Sequence, residues 1–72
     1  MVNVNKLKGK LVENGLTIAE TAEKINVNPA TLYRKISNNG ESITVKEATM
    51  LSEILHLTSQ EINDIFFASV VA

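Results

Sequence analysis

Signals that begin helices recur along this chain at short intervals, and they constrain its fold more than any other feature. A threonine is followed three residues later by a glutamate at Thr17, Thr44 and Thr58. In this pattern the hydroxyl accepts from a backbone N–H of the first turn, and the carboxylate accepts from the N–H of the threonine. Asn28 followed by Pro29 predicts a fourth start, because proline at the first helical position removes an N–H that has no helical partner.

Helix ends are predicted where residues that tolerate a positive φ occur together, at 14–15 and at 38–40. Between these signals, apolar residues recur three or four positions apart. Five helices are predicted, over residues 3–13, 18–25, 29–37, 45–55 and 59–67. The run 42–45 is also consistent with a short strand, but the cap at Thr44 favours a helix start. The expected fold class is therefore all-α.

Length and composition indicate the class of protein. The 72 residues suit a single domain over 1–72, with no room for a separate small-molecule sensor. The absence of cysteine excludes disulfides and thiolate metal sites and suits a reducing, cytoplasmic location. No apolar run approaches the roughly 18 residues of a membrane helix, and the first ten residues lack an apolar signal core. We expect no membrane association and no cofactor.

Charge is distributed unevenly along the chain, although the formal net charge is only −1. Residues 1–39 contain six Lys or Arg and three Glu, which gives +3. Residues 40–72 contain one Lys and five Asp or Glu, which gives −4. Such a division predicts an electric dipole whose positive side includes helices 18–25 and 29–37. Charges scattered over solvated helices are the alternative.

The segment 17–37 has the pattern of two helices joined by a tight turn. Ala22 is small where two helices must approach closely, and Val27 is placed to fill the turn. Leu32 and Ile36 fall on one side of helix 29–37 when successive residues are advanced by about 100°, and Ile25 of the preceding helix points to the same inner side. This arrangement predicts a helix-turn-helix, whose second helix is shaped to enter the major groove of DNA.

The outward side of helix 29–37 carries Ala30, Arg34 and Ser37, with Thr31 and Tyr33 on its flanks. Arg34 can bond guanine O6 and N7, and Ala30 can contact a thymine methyl group. Tyr33, Thr31 and Ser37 can bond a base or a phosphate. Taken singly, Arg34 and the neighbouring Lys can be ordinary surface charges, and Tyr33 can lean on the edge of the core.

Phosphate contacts are predicted at two other places. Thr17 and the first N–H groups of helix 18–25 can face a backbone phosphate, although Thr17 can be a helix cap alone. Asn38 follows helix 29–37, where a loop would meet the phosphate backbone of a duplex.

The segments 16–20, 50–51 and 55–62, together with the helix pair, resemble the Cro/repressor-type (XRE-family) helix-turn-helix proteins of phages and bacterial regulators. The segment 55–62 fits the family's L-x-L-(T/S)-x-x-E-(I/L) pattern, and the resemblance covers almost the whole chain. It implies a five-helix, lambda-repressor-like domain that binds DNA as a dimer and controls transcription. Its base-reading positions correspond to Asn28, Pro29, Ala30, Tyr33, Arg34 and Ser37.

Two departures from the family pattern affect what the resemblance implies. Asn26 replaces the usual glycine of the turn, and asparagine tolerates the left-handed conformation. Pro29 and Ala30 replace the frequent glutamines, and neither side chain can bond adenine. Base reading should therefore depend on Arg34 and Tyr33.

The C-terminal stretch is the expected dimer contact, with 66–72 as a possible dimerisation tail. Its residues are too apolar for a free end, since a small domain has little core left to cover them. The alternative is that Phe66 fills the core and the last five residues are unordered.

Double-stranded DNA and a second copy are thus the expected partners, and no small-molecule ligand is expected. A protein-interaction module on the same fold, either an antirepressor or an antitoxin, is the alternative function. We do not expect an enzyme, because His56 is the only histidine and no carboxylate pair or glycine-rich phosphate loop accompanies it.

Overall fold

The computed structural model describes residues 2–67, which form five α-helices. They are α1 (Val4–Glu13), α2 (Ile18–Lys24), α3 (Pro29–Ser37), α4 (Val45–Ile54) and α5 (Ser59–Phe66). Residues 2–67 contain no strand, and the run 42–45 leads into α4, which begins at Val45. The predicted starts of α2 to α5 are confirmed. Three predicted helices, 18–25, 45–55 and 59–67, end one residue earlier than expected.

Side-chain caps explain why the helices begin where they do. Thr17, Thr44 and Thr58 each form a complete capping box with the glutamate three residues ahead. In each box the backbone N–H of the threonine donates to the carboxylate at 2.9 Å, and the hydroxyl accepts at 3.1 Å. Each threonine–glutamate pair therefore satisfies two backbone N–H groups that would lack a partner at the start of a helix.

Three of the interhelical connections repeat the same four-residue design. After α1, α2 and α4, the second residue has a positive φ, and the third is apolar and precedes the N-cap. The N–H of that apolar residue donates to a carbonyl five residues back: Leu16 to Leu11, Val27 to Ala22 and Leu57 to Ser52. These bonds form Schellman motifs, which end one helix immediately before the next begins.

The core is formed by one stripe from each helix. Its buried apolar members are Leu7, Leu11, Ala22, Ile25, Leu32, Ile36, Leu51, Leu55, Ile65 and Phe66. The predicted inner positions of α2 and α3 are confirmed, and Val27 packs against them from the turn. Helices α2 and α3 pack on each other, and α1 packs on α5.

At the C-terminal end, Phe66 is buried in the core while Phe67 is 40% exposed. The predicted dimerisation tail, 66–72, continues beyond these two residues, and its positions 68–72 lie outside the described residues. Within residues 2–67, no helix has both the length and the apolar character needed to cross a membrane.

Candidate nucleic-acid interface

Helix α3 is held at its start by Asn28, whose side-chain oxygen accepts from two backbone N–H groups. The donors are Ala30 at 2.9 Å and Thr31 at 3.3 Å. Because only Oδ1 is used in these bonds, the amide NH2 of Asn28 keeps two donors for a ligand. No acidic residue occurs in the first turn of α3, whereas α2, α4 and α5 each have a glutamate there. The positive end of the α3 dipole is therefore not neutralised by its own side chains.

Most of the predicted site residues lie along one helix and in solvent. The exposed ones on α3 and its two caps are Asn28, Pro29, Ala30, Tyr33, Arg34, Ser37 and Asn38. Thr31 is half-buried, and Thr17 is exposed at the start of α2. Eight of the nine predicted residues therefore belong to α3 or to the residues that cap it.

The two largest side chains of the outward side are free of the core. Tyr33 is 60% exposed, so most of its surface faces solvent. Arg34 is exposed, and its guanidinium makes no hydrogen bond or ion pair among the described residues. The sequence of α3 contains no carboxylate at all. The outward side of this helix thus presents a cation to solvent with no acidic neighbour on the same helix.

Lys35, the next residue, is placed differently. Its Nζ donates to both oxygens of Glu47 on α4, at 2.8 and 2.9 Å. Partial burial of Glu47 disfavours its charged form. The hydrogen bonds from Lys35 and from the Thr44 N–H outweigh that effect and lower the pKa of Glu47 below its ordinary value. The ion pair joins α3 to α4 and neutralises one of the two cations of α3.

Ion pairs within the fold neutralise part of the uneven charge of the sequence. Lysines of α1 meet acids of α5, with Lys6 bonding Asp64 at 2.9 Å and Lys10 bonding Glu61. Together with Lys35, three of the six cations of residues 1–39 are paired with acids from the second half of the chain. These ion pairs weaken the predicted electric dipole. Because Lys35 is paired with Glu47, Arg34 is the one cation of α3 without an acidic partner among the described residues.

The start of α2 is less suited to an anion than the sequence suggested. The carboxylate of Glu20 accepts from the Thr17 N–H at 2.9 Å, and the Thr17 hydroxyl accepts from the Glu20 N–H. The bonds from the Thr17 backbone and hydroxyl lower the pKa of Glu20, so its charge persists at neutral pH. A carboxylate therefore occupies the place expected for a phosphate.

A shallow polar depression lies beside the outward side of α3. It has a volume of about 390 Å³ and is lined by Thr31, Arg34, Lys35, Asn38 and Ser42. Sequence reasoning missed Ser42, which it considered only as part of a possible strand. The helical spacing of 31, 34, 35 and 38 was visible in the sequence, but the position of Ser42 depends on the path of the chain between α3 and α4.

The predicted site residues of α3 thus form a continuous solvent-exposed surface, and Thr17 belongs to a separate helix start. No protein-family model matches this chain, and no solved structure matches it. A function can therefore be argued only from the residues and their geometry.

Proposed function

We propose that this protein is a sequence-specific DNA-binding regulator of transcription, in which α2 and α3 act as a helix-turn-helix. Helix α3 enters the major groove of double-stranded DNA, as expected for a lambda-repressor-like domain. A Cro-like repressor of a phage or prophage is the simplest form of this function, and no catalytic step belongs to it.

The observation that carries the proposal is the composition of the exposed surface of α3. Ala30 and Ser37 are small, so they allow the helix backbone to approach base edges. Arg34 lies between them with an unpaired guanidinium group, and α3 has no carboxylate that would repel phosphates. The major groove is about 12 Å wide and accepts a helix with side chains of this size.

Each exposed residue has a chemical role in this proposal. Arg34 donates to guanine or to a phosphate, and Ala30 contacts a thymine methyl group. Tyr33 and Ser37 each offer a hydroxyl, and Asn28 offers its free amide NH2. Pro29 shapes the start of the helix and contacts the groove without hydrogen bonding.

A homodimer is part of the proposal, because one short helix makes few base contacts. Two copies would bind half-sites about one helical turn apart, roughly 34 Å. The exposed side chain of Phe67, together with the apolar composition of the tail that follows it, supports contact between copies near the C-terminus.

Fluorescence anisotropy with labelled duplexes from the DNA surrounding the protein's own gene tests the proposal. We expect one duplex to bind at least about 1,000-fold more tightly than random DNA, and its affinity to fall steeply with salt. Arg34→Ala should lose most of this preference. Lys8→Ala removes an exposed cation from α1 and serves as the matched control. Equal affinity for all duplexes would overturn the proposal.

A second candidate function is a protein-interaction module, either an antirepressor or an antitoxin. It is favoured by an apolar groove of about 390 Å³ lined chiefly by α4, with Val45, Leu57, Ile62 and Phe67 among its residues. In that case Arg34→Ala leaves capture of a protein partner intact. Loss of partner capture together with loss of DNA binding would count against this candidate.

A further inference from the structure

We infer that Glu47 is a positioning residue for the proposed DNA-reading helix, although it lies on α4. Through Lys35 it fixes the orientation of the second half of α3, and it keeps the Lys35 ammonium group away from the phosphates of bound DNA. The inference rests on the proposed function and extends it to a residue outside the helix-turn-helix.

In residues 2–67, a single ion pair supplies the side-chain polar contact between α3 and any other helix. It joins Lys35 to Glu47 at 2.8 Å. Leu32 and Ile36 attach α3 to the core by apolar contacts. Apolar attraction is non-directional, so it fixes the rotation of a helix less tightly than a charge-assisted hydrogen bond does.

The carboxylate of Glu47 has a fixed place of its own. Its Oε1 accepts from the Thr44 backbone N–H at 2.9 Å as part of the capping box of α4. The same oxygen accepts from Lys35 Nζ at 2.8 Å, and Oε2 accepts from it at 2.9 Å. Because the capping box is local to α4, it presents the carboxylate to Lys35 in one orientation. The ion pair therefore ties α3 to a rigid point at the start of α4.

Burial makes this ion pair resistant to competition from other anions. The side chains of Lys35 and Glu47 are only 20% and 12% exposed, whereas those of Lys6 and Asp64 are 39% and 38% exposed. Exposed ion pairs are weak and screened by salt, but partly buried pairs are screened much less. The phosphates of a duplex must compete with an acceptor that is already in place, so Lys35 stays paired when DNA binds.

Arg34 depends on this arrangement because it is the residue next to Lys35. Groups that read a base must be held within about 0.5 Å and about 10–20° of their productive geometry. A rotation of the second half of α3 moves Arg34 and Tyr33 away from the base edges that they contact in the proposed complex. Contacts to the phosphates of random DNA tolerate such a rotation, since they carry no sequence information. Glu47 therefore supports affinity for the preferred duplex more than affinity for random DNA.

The first variant that tests the inference is Glu47→Gln, which removes the charge and keeps an acceptor for the capping box. We expect affinity for the preferred duplex to fall about tenfold, while random DNA is bound no more weakly. The released Lys35 ammonium should also steepen the dependence of log affinity on log salt by about one phosphate contact. Glu53→Gln removes the same charge from an exposed site on α4 and is the matched control, so it should change neither quantity.

Lys35 supplies the second pair of variants. Lys35→Arg keeps a cation that can bond Glu47, so it should retain the sequence preference. Lys35→Met keeps the apolar stem and removes the ammonium group, so it should lose preference as Glu47→Gln does, but with the salt dependence of the wild-type protein. A uniform loss of affinity for all duplexes in Lys35→Met, with a salt slope lower by about one, would show that Lys35 itself contacts phosphate and would overturn the inference.

Fluorescence anisotropy gives the affinities, at a temperature where circular dichroism shows that every variant is folded. A loss of stability alone then leaves the salt slope unchanged. A wild-type preference for one duplex that is retained in both Glu47→Gln and Lys35→Met would refute the role of Glu47 and leave the proposed function standing. Equal binding of all duplexes by the wild-type protein would instead refute the proposed function, and this inference with it.

Discussion

The backbone N–H of Asn3 donates to the carbonyl oxygen of Ile65 across 2.7 Å, and this bond ties the N-cap of α1 to the last turn of α5. The ion pair between Lys6 and Asp64, at 2.9 Å, lies beside it. Helices from opposite ends of the described chain are thus joined by a main-chain bond and by charges. The charges make this contact sensitive to pH.

Acid should unfold the protein by weakening the contact between α1 and α5. The pKa of Glu61 lies below its ordinary value of 4.5 because Lys10 and the Thr58 N–H donate to it. A carboxyl group with a lower pKa in the folded state stabilises the fold above its unfolded pKa, and this stability is lost as the pH falls through the folded pKa. We expect the urea midpoint to decline below about pH 4.5.

Urea denaturation of Glu61→Gln between pH 7 and pH 2 checks this expectation. The variant should be less stable at pH 7 and should lose less of its stability on acidification than the wild-type protein. Glu23→Gln is the control, because Glu23 is exposed on α2 and makes no ion pair among the described residues. An acid dependence in Glu61→Gln identical to that of the wild-type protein would contradict the assignment.

Two glycine substitutions should have opposite effects on stability. Gly40 has a φ of 71°, and an added Cβ would lie 2.6 Å from the Cβ of Val2. Gly40→Ala should therefore reduce the free energy of unfolding by more than about 1 kcal/mol. Gly9 lies inside α1 with open space around it, so Gly9→Ala should add roughly 0.5–1 kcal/mol. Chemical denaturation measures both, and a stabilising Gly40→Ala would disprove the close approach of Val2.

The helix starts were predictable because their cause is local. A threonine and a glutamate three residues apart contain all the atoms of a capping box, so Thr17, Thr44 and Thr58 marked α2, α4 and α5 correctly. The left-handed residue after α2 was also predictable, since Asn26 has a φ of 60° and asparagine tolerates that region.

Contacts between distant segments were not predictable from local pattern. Lys35 and Glu47 are twelve residues apart on different helices, and their pairing depends on the course of the α3–α4 connection. The sequence indicated an excess of cations in the first half. It did not show that three of these six cations would form ion pairs with acids from the second half.

The left-handed conformation of His56 was not predicted. The sequence analysis considered this residue only as a possible catalytic group, whereas the structure places it after α4 with a φ of 53°. The signal that could have found it is the apolar residue and threonine that follow, since Leu57-Thr58 repeats Leu16-Thr17, which follows Gly15. Histidine occurs at positive φ far less often than glycine does, so the residue type alone was a weak signal.

His56→Gly should stabilise the protein, because glycine adopts the left-handed region without steric cost. We expect a gain of roughly 0.5–1 kcal/mol, partly offset by the greater freedom of glycine in the unfolded chain. His56→Val should do the reverse, since a β-branched side chain is the least tolerated there. Urea midpoints of the two variants should lie on opposite sides of the wild-type value. Destabilisation by both would show that the imidazole contributes a contact of its own.

The packing of α2 on α3 can be tested by one pair of substitutions on α2. Ala22 is fully buried on this helix, so Ala22→Leu should cost about 1–3 kcal/mol through overpacking and displace α3. Ala19 is exposed on the same helix, and Ala19→Leu should change stability by less than about 0.5 kcal/mol. If α2 and α3 act as one DNA-reading unit, the preferred duplex should bind folded Ala22→Leu at least about tenfold more weakly and Ala19→Leu nearly normally. The affinities are compared by anisotropy titration at a temperature where circular dichroism shows that both variants are folded. Normal binding by Ala22→Leu would show that the spacing of the two helices does not govern recognition.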